Sequence, residues 1–280
     1  MATTLANLGS PAPIGNLLIV DGLNVAFRWK HQNILDFKYD YIRTIESLAK
    51  SYKAGTIIVC ADGGSSYRKE IFPEYKANRK ERFADQTEQE AKEFEMFMAE
   101  FQDTLTLIKE KYPVFHFRGV EADDIAAYIT QSIDYDECWL ISSDKDWDLL
   151  ISDKVSRFST VTRKETTVHN WDEHYDFEIE DYITFKCLTG DKGDNVPGVP
   201  GVGPKRAVQL MEQYGTVFDI YDACPIDGRY KYIQAVNENA EQLLTNVELM
   251  DLLTYCDDAI GEHNRKIINN TLEEILNDKN

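Results

Sequence analysis

Short runs of β-branched and aromatic residues, each bounded by turn residues, recur at Leu17 to Val20, Thr56 to Cys60, Val114 to Phe117, Cys138 to Ile141 and Val155 to Ser159. Between several of them apolar positions recur at helical spacing, as in Tyr41 to Tyr52 and Ile125 to Ser132. This alternation predicts an α/β fold with a mostly parallel central sheet flanked by helices. In such sheets ligands bind outside the carboxyl ends of the strands. Asp21, Asp62 and Asp144 each stand just after one of these runs, so the sequence places three acids on one rim.

From about residue 73 to 112 the strand signals stop. Thr87 and Glu90 have the spacing of a capping box, and Phe94, Phe97, Met98, Phe101, Leu105 and Ile108 then recur at helical intervals, which predicts a helix packed on the core by that stripe. Packing does not account for Lys76, Arg79 and Lys80, which a helical reading puts on one face beside Tyr75. After Glu178 the chain reads as compact and helical: a helix to about Leu188, a glycine-rich turn, and a helix from Pro204 to Tyr214 with Gly215 as its stop. No repeat and no Gly/Ser/Pro-rich linker appears. The expected organisation is an N-terminal extension (1–16) with no assigned role, a core (17–177) and a contiguous helical region (178–280).

The 280 residues carry 49 Asp and Glu against 30 Lys and Arg, a formal charge of −19, which ordinarily argues against a nucleic-acid partner. The five cysteines are odd in number and form no CxxC pair, so they read as reduced thiols without zinc or disulfides. No apolar run is long enough to span a bilayer, and the first sixteen residues lack the pattern of a secretory signal, so the expected location is cytoplasmic.

The acids change the picture. Asp21 (IVDGLN), Asp62 (CADGG), Glu121, Asp123 and Asp124 (VEADD), Asp144 and Asp146 (SSDKD), and Asp191 and Asp194 (GDKGDN) mostly follow strands or begin helices, so they can converge. Each has a plainer reading, such as a cap on the following helix for Glu121, Asp123 or Asp124, yet three acids in four positions exceed what a cap needs. So many carboxylates in one cleft are costly unless cations compensate them, and an all-oxygen donor set suits Mg²⁺ or Mn²⁺. Two such ions serve in-line displacement at phosphorus, which makes phosphodiester hydrolysis the natural reaction. A calcium loop at Asp144, Asp146 and Asp148 is opposed by Leu149 where it needs Gly and Val155 where it needs Glu, and Asp148 reads as surface or capping. A second signature is GVPGVGPKR (Gly198 to Arg206): Gly201 and Gly203 let backbone amides approach a ligand at the start of a helix, with Lys205 and Arg206 as added charge, a phosphate clamp.

In their order and approximate spacing, Asp21, Asp62, the EADD group, Asp144 with Asp146, Asp191 with Asp194 and the GVPGVGPK hairpin resemble the structure-specific 5′ nuclease family, the flap endonucleases and 5′-to-3′ exonucleases of DNA replication. The resemblance spans about residues 15 to 260. Phrases such as PEYKANR and GVEADDIAAYI are most similar to the stand-alone enzymes of T-five-type bacteriophages. It implies a PIN-like nuclease core whose metal group is formed by Asp21, Asp62, Glu121, Asp123 and Asp144, assisted by Asp124, Asp146, Asp191 and Asp194. It also implies a helical arch over the segment from Tyr75 to about Lys111 that admits a single-stranded 5′ end. Within that arch Lys76 and Arg79 would steer the scissile phosphate, Lys80 would add charge, and Tyr75 would stack on a base or pack. The hairpin (Gly198, Val199, Gly201, Val202, Gly203, Lys205, Arg206) would grip duplex backbone, with K⁺ as a further ion there. The implied partner is DNA with a 5′ end or flap, bound without sequence preference, with the replication machinery as a further partner, in host cytoplasm for a phage enzyme; no coiled-coil heptads or obligate interface pattern appears, so a monomer is expected. The competing readings are a PIN-like ribonuclease, which would lack arch and hairpin, and a non-catalytic DNA-structure-binding protein.

Overall fold

The computed structural model describes residues 14–79 and 86–279. Each of the predicted runs forms a strand. β1 (Asn16–Asp21), β2 (Ala54–Ala61), β3 (Val114–His116), β4 (Cys138–Ile141) and β5 (Val155–Phe158) make a parallel sheet in the order β3-β2-β1-β4-β5. A short antiparallel strand, β6 (Glu165–Thr166), closes the β5 edge. Sequence order reverses about β1, so the crevice that such sheets offer to ligands opens at the carboxyl ends of β1 and β4. Asp21 and Asp144 stand there.

The central strand is apolar on both faces because both are covered. Leu18 and Val20 pack with Ile57 and Val59 under α1 (Gly22–Lys30), α2 (Lys38–Ser51) and the long helix that includes Phe97, Phe101 and Leu105. Leu17 and Ile19 pack with Ile58 and Leu140 on the other side. Between β2 and β3 lie α3 (Ser66–Ile71) and that long helix, α4 (Glu88–Ile108). The Thr87–Glu90 capping box forms at its start, and Phe97, Phe101, Leu105 and Ile108 are buried as the stripe requires. α5 (Ala122–Ser132) follows β3.

The second part runs through α6 (Tyr182–Thr189), a two-strand turn of β7 (Gly190–Asp191) and β8 (Val196–Pro197), then α7 (Pro204–Tyr214), α8 (Val217–Ala223), α9 (Lys231–Glu238) and α10 (Ala240–Met250). These helices share a core that includes Leu188, Leu210, Ile220, Val236 and Val247. α11 (Leu252–Lys279) returns to the sheet, where Cys256, Ile260 and Ile268 join Ile125 and Ile129 in one cluster. That return brings Asp191 and Asp194 to the rim that holds the strand-end acids. All five cysteines are free, and among the described residues no helix is long and apolar enough to cross a membrane.

Asp148 departs from its expected surface place. It is buried, accepts from Arg157 Nε at 2.5 Å and Nη2 at 2.9 Å, and takes the Tyr175 hydroxyl at 2.5 Å. A guanidinium buried on β5 needs a counter-ion, and Asp148 is that ion. The loop after β4 is therefore anchored from below, which leaves Asp144 and Asp146 above it.

Candidate active site

Each acid at the crevice is fixed by local backbone. Asp21 caps α1, its Oδ1 accepting from the Asn24 amide at 3.2 Å and its Oδ2 from Ser142 Oγ at 2.6 Å. The same Ser142 hydroxyl accepts from the Asp144 amide at 3.1 Å, so one side chain ties the ends of β1 and β4. Asp144 caps a 3₁₀ turn by accepting from the Asp146 amide at 3.0 Å. Asp62 accepts from the Gly64 amide at 2.7 Å, and Asp123 from the Trp147 indole at 2.6 Å.

These carboxyls share one field. Burial pushes Asp21 up to about 7, the neighbouring charges of Asp144 and Asp62 add to the rise, and the bonds from Ser142 and Asn24 only partly oppose it. Asp123 is likewise driven well above the carboxylate range, by burial and then by Asp144, Glu121 and Asp21. Asp146 is pushed up to about 6, first by burial, with Lys186 opposing. Asp21, Asp62, Glu121, Asp123 and Asp144 thus lie together. Cations stand beside the remaining acids. Arg68, 2% exposed, donates to Glu121 at 2.8 Å, to both oxygens of Asp124 at 2.7 and 2.8 Å, and to the Leu249 carbonyl at 2.7 Å. Lys76 pairs with Glu121 and lies 3.4 Å from Asp194, while Arg79 donates to Asp194 at 2.7 Å. Although burial works the other way, Lys76 and its basic neighbours hold Glu121 and Asp194 below the usual carboxylate range. Lys186 pairs with Asp146 and reaches Asp191 at 3.2 Å.

The arrangement accounts for two features. Among the described residues no three acidic, His or Cys side chains close directly around an ion, because ammonium and guanidinium groups stand between several of the acids. The crevice bounded by Tyr75, Asp123, Asp146, Asp191 and Asp194 holds only about 10 Å³ of free space, roughly one water's worth. The donor set nevertheless fits a hard divalent cation: it is all oxygen, and burial with neighbouring carboxylates forces Asp21 and Asp123 toward protonation, which Lys76 only partly opposes at Asp123.

Several expectations are corrected. Both Asp124 oxygens are taken by Arg68, so this acid balances a buried guanidinium instead of facing the shared field. Tyr75, 4% exposed, packs in the second core with its hydroxyl donating to Asp194 at 2.8 Å, which leaves no ring face for a base. Lys76 is in a turn at φ +57°, its amide donating to the Asp194 carbonyl at 2.8 Å, so the helical face expected for Lys76, Arg79 and Lys80 is not formed at Lys76. Lys80 and residues 1–13 lie outside the described residues.

In the hairpin Val199 and Val202 are buried in the second core and contribute packing. Gly198 is required for packing too, since a Cβ there would lie 2.3 Å from the Thr189 backbone. Gly201, at φ +78°, and Gly203, with nothing within 4 Å of where a Cβ would stand, form the open turn that was expected. Lys205 and Arg206 are exposed at the start of α7, where Pro204 has no N–H and the Arg206 and Ala207 amides donate to the Gly203 carbonyl at 3.0 Å.

Sequence reasoning missed Arg68, Lys186, Trp147 and Ser142. Trp147 inside DKDWD and Ser142 inside SSDKD were visible next to acids already singled out. Arg68 carried no local signal, because its partners lie across the fold; Lys186 stands five residues before Asp191 but meets Asp146 only through the fold.

Two sequence models of the 5′-3′ exonuclease family match the chain, the N-terminal resolvase-like domain over residues 16–176 and the C-terminal SAM fold over residues 177–269. The flap endonuclease of Escherichia phage T5 is 47% identical over 266 residues, covering 93% of this chain and 91% of that protein. DNA polymerase I of Bacillus subtilis is 28% identical over 85% of this chain, which spans only 28% of that longer protein. Among solved structures, the bacteriophage T5 flap endonuclease in a pseudo-enzyme–product complex with DNA and metal ions superposes with a TM-score of 0.90 at 46% identity, covering 94% of this chain and 99% of that one.

Proposed function

The chain belongs to the 5′-3′ exonuclease family, and from that premise we propose that it is a structure-specific 5′ nuclease, a flap endonuclease and 5′-3′ exonuclease that hydrolyses phosphodiester bonds at or near the 5′ end of branched or duplex DNA. The observation that carries this reading is the shared field of Asp21, Asp62, Asp123 and Asp144 at the switch point of the sheet. Asp21, Asp62, Glu121, Asp123 and Asp144, with Asp146, Asp191 and Asp194, would hold divalent ions, Mg²⁺ first and Mn²⁺ as a substitute. When bound, two such ions supply activation of the attacking water and stabilisation of the leaving 3′ oxygen.

The chain's own residues do the rest. Asp124 holds Arg68, and Arg68 in turn holds Glu121 at the base of the cleft. Lys76 and Arg79 sit at its mouth on Glu121 and Asp194, where a phosphate could take over their positive charge and be stabilised as charge builds on it. The hairpin offers the Gly201 and Gly203 backbone, Lys205 and Arg206 to duplex phosphates, a grip that positions without reading sequence. Potassium is a candidate for the hairpin carbonyls. With a net charge of −19, binding depends on such local patches and weakens steeply with salt. We assign α4, capped by Thr87, to one side of the arch. We place the protein in host cytoplasm, acting on replicating DNA, and expect a monomer because the sequence carries no coiled-coil heptads.

The test is cleavage of a 5′-labelled flap, a nicked duplex and a matching RNA hairpin, with Mg²⁺ and with chelator. Metal-dependent cutting of the flap is expected. Preferential cutting of the RNA would favour a ribonuclease, and binding without cutting a non-catalytic protein. Lys76→Ala should slow single-turnover cleavage about 10²- to 10³-fold, the cost of one preorganised transition-state donor, with less than about a threefold change in flap affinity. Equal losses in rate and affinity would remove Lys76 from the transition state.

A further inference from the structure

An aromatic shelf beside the hairpin has no place in the function so far. Arg206, in the first turn of α7, donates from Nη1 to the Gly201 carbonyl at 2.6 Å, and its guanidinium carbon lies 4.7 Å from the centre of the Tyr232 ring. Tyr232 is half-buried against the second core, and Tyr230, 60% exposed, stacks on it at 5.9 Å with the ring planes 20° apart. A Cβ added at Gly201 would lie 3.7 Å from Arg206 Nη1 and 3.8 Å from Tyr232 Cβ, so the turn, Arg206 and Tyr232 pack against one another. Arg229 and Lys231 flank the rings and are exposed.

We propose that Tyr232 is a positioning residue for the duplex grip. Its ring holds the Arg206 guanidinium against the Gly201 carbonyl, and the remaining Arg206 donors join Lys205 on one backbone phosphate. Tyr230, Arg229 and Lys231 continue the same face along the strand. An arginine side chain free in solvent loses rotamer freedom when it binds phosphate, and one already seated over a ring face loses less. In so acidic a chain, placing a few cations well compensates for having few to place. This inference rests on reading the hairpin as a duplex grip.

The experiment is fluorescence anisotropy of a labelled nicked duplex in chelator, followed by steady-state flap cleavage in Mg²⁺. Tyr232→Leu should weaken duplex binding and raise KM about fivefold, as loss of one exposed cation–π contact allows, and leave kcat unchanged. Tyr232→Phe keeps the ring and should stay within about twofold of wild type. Arg206→Met should weaken binding at least as much as Tyr232→Leu, and the double variant should be no weaker than Arg206→Met alone, because Tyr232 acts only through Arg206. Arg206→Lys, at an exposed position, decides the matter even if Tyr232→Leu folds poorly: it keeps the charge but not the planar face, and should lose about as much binding as Tyr232→Leu. Wild-type binding by Tyr232→Leu or by Arg206→Lys, or additive losses in the double variant, would overturn the proposal. A wild-type protein that neither binds the nicked duplex nor cuts the flap would overturn the underlying reading instead.

Discussion

Asp21→Asn should reduce metal-dependent flap cleavage about 10⁴-fold while raising the melting temperature of the metal-free protein. The activity loss follows from removing a charged oxygen donor from the switch point, where stabilisation of several kcal/mol is at stake. The gain in stability follows from the same charge. Asp21 is buried, its neighbours are Asp144 and Asp62, and its folded value of about 7 lies above the ordinary 3.8. A carboxyl raised in the folded state favours folding most below its unfolded value, and that contribution is lost as pH rises from about 4 through 7. Metal-stripped wild type should therefore melt several degrees higher at pH 5 than at pH 8, as a difference of one to two kcal/mol allows. Asparagine keeps the cap on the Asn24 amide and the contact with Ser142 but never ionises, so the variant should lose most of that slope. Asp123, raised in the same direction, leaves a remainder. Mg²⁺ should restore wild-type stability at pH 8, because a ligand that binds only the folded form stabilises it, and should do less for the variant. Melting curves at the two pH values, with Mg²⁺ and with chelator, check each part. A variant melting below wild type in chelator at pH 8 would mean that Asp21 is satisfied as an anion without metal.

What was legible in the sequence was whatever is written locally. β1 is covered on both faces, so Leu17 to Val20 had to be continuously apolar, and such a run cannot be hidden. Acids at strand ends and a Gly-Pro turn before a helix are equally local, which is why Asp21, Asp62, Asp144 and the Gly201–Gly203 turn were found. Failures came where a partner from another element of the fold decides the outcome. Lys76 departs from a helical pattern because its amide is taken by the Asp194 carbonyl from the other half of the fold. Tyr75 is drawn inward by the same residue. Asp148 is buried only because Arg157 sits beneath it, and Asp124 is spent on Arg68, 56 residues away. The residues that hold the acids apart, Arg68 and Lys186, belong to the same class. A sequence shows which charges exist long before it shows which of them meet.

Arg68→Leu carries the largest expected cost in stability and tests that last point. The guanidinium makes four hydrogen bonds in a site almost closed to water: one to Glu121, two to Asp124 and one to the Leu249 carbonyl where α10 ends. Removing it leaves the Asp124 carboxylate buried without a counter-ion and Glu121 dependent on Lys76 alone. Stranding a buried charge in this way costs about 3 to 5 kcal/mol, against near neutrality when a whole ion pair is exchanged for apolar groups. For a chain of this length that loss should lower the melting temperature by roughly 10 °C. It should be smaller in acid, where Asp124 can take a proton: Arg68 is what offsets a burial that already raises Asp124 above its ordinary value. Adding Asp124→Asn to Arg68→Leu removes the stranded charge and should recover a substantial part of the stability, whereas Asp124→Asn alone should destabilise by unbalancing the guanidinium. Melting temperatures of the three variants at pH 5 and pH 8 give the result directly. If Arg68→Leu melts like wild type at pH 8, or the second substitution recovers nothing, then the buried triad does not hold α3 and α5 to the C-terminal helices, and Glu121 must be kept at the rim by other means.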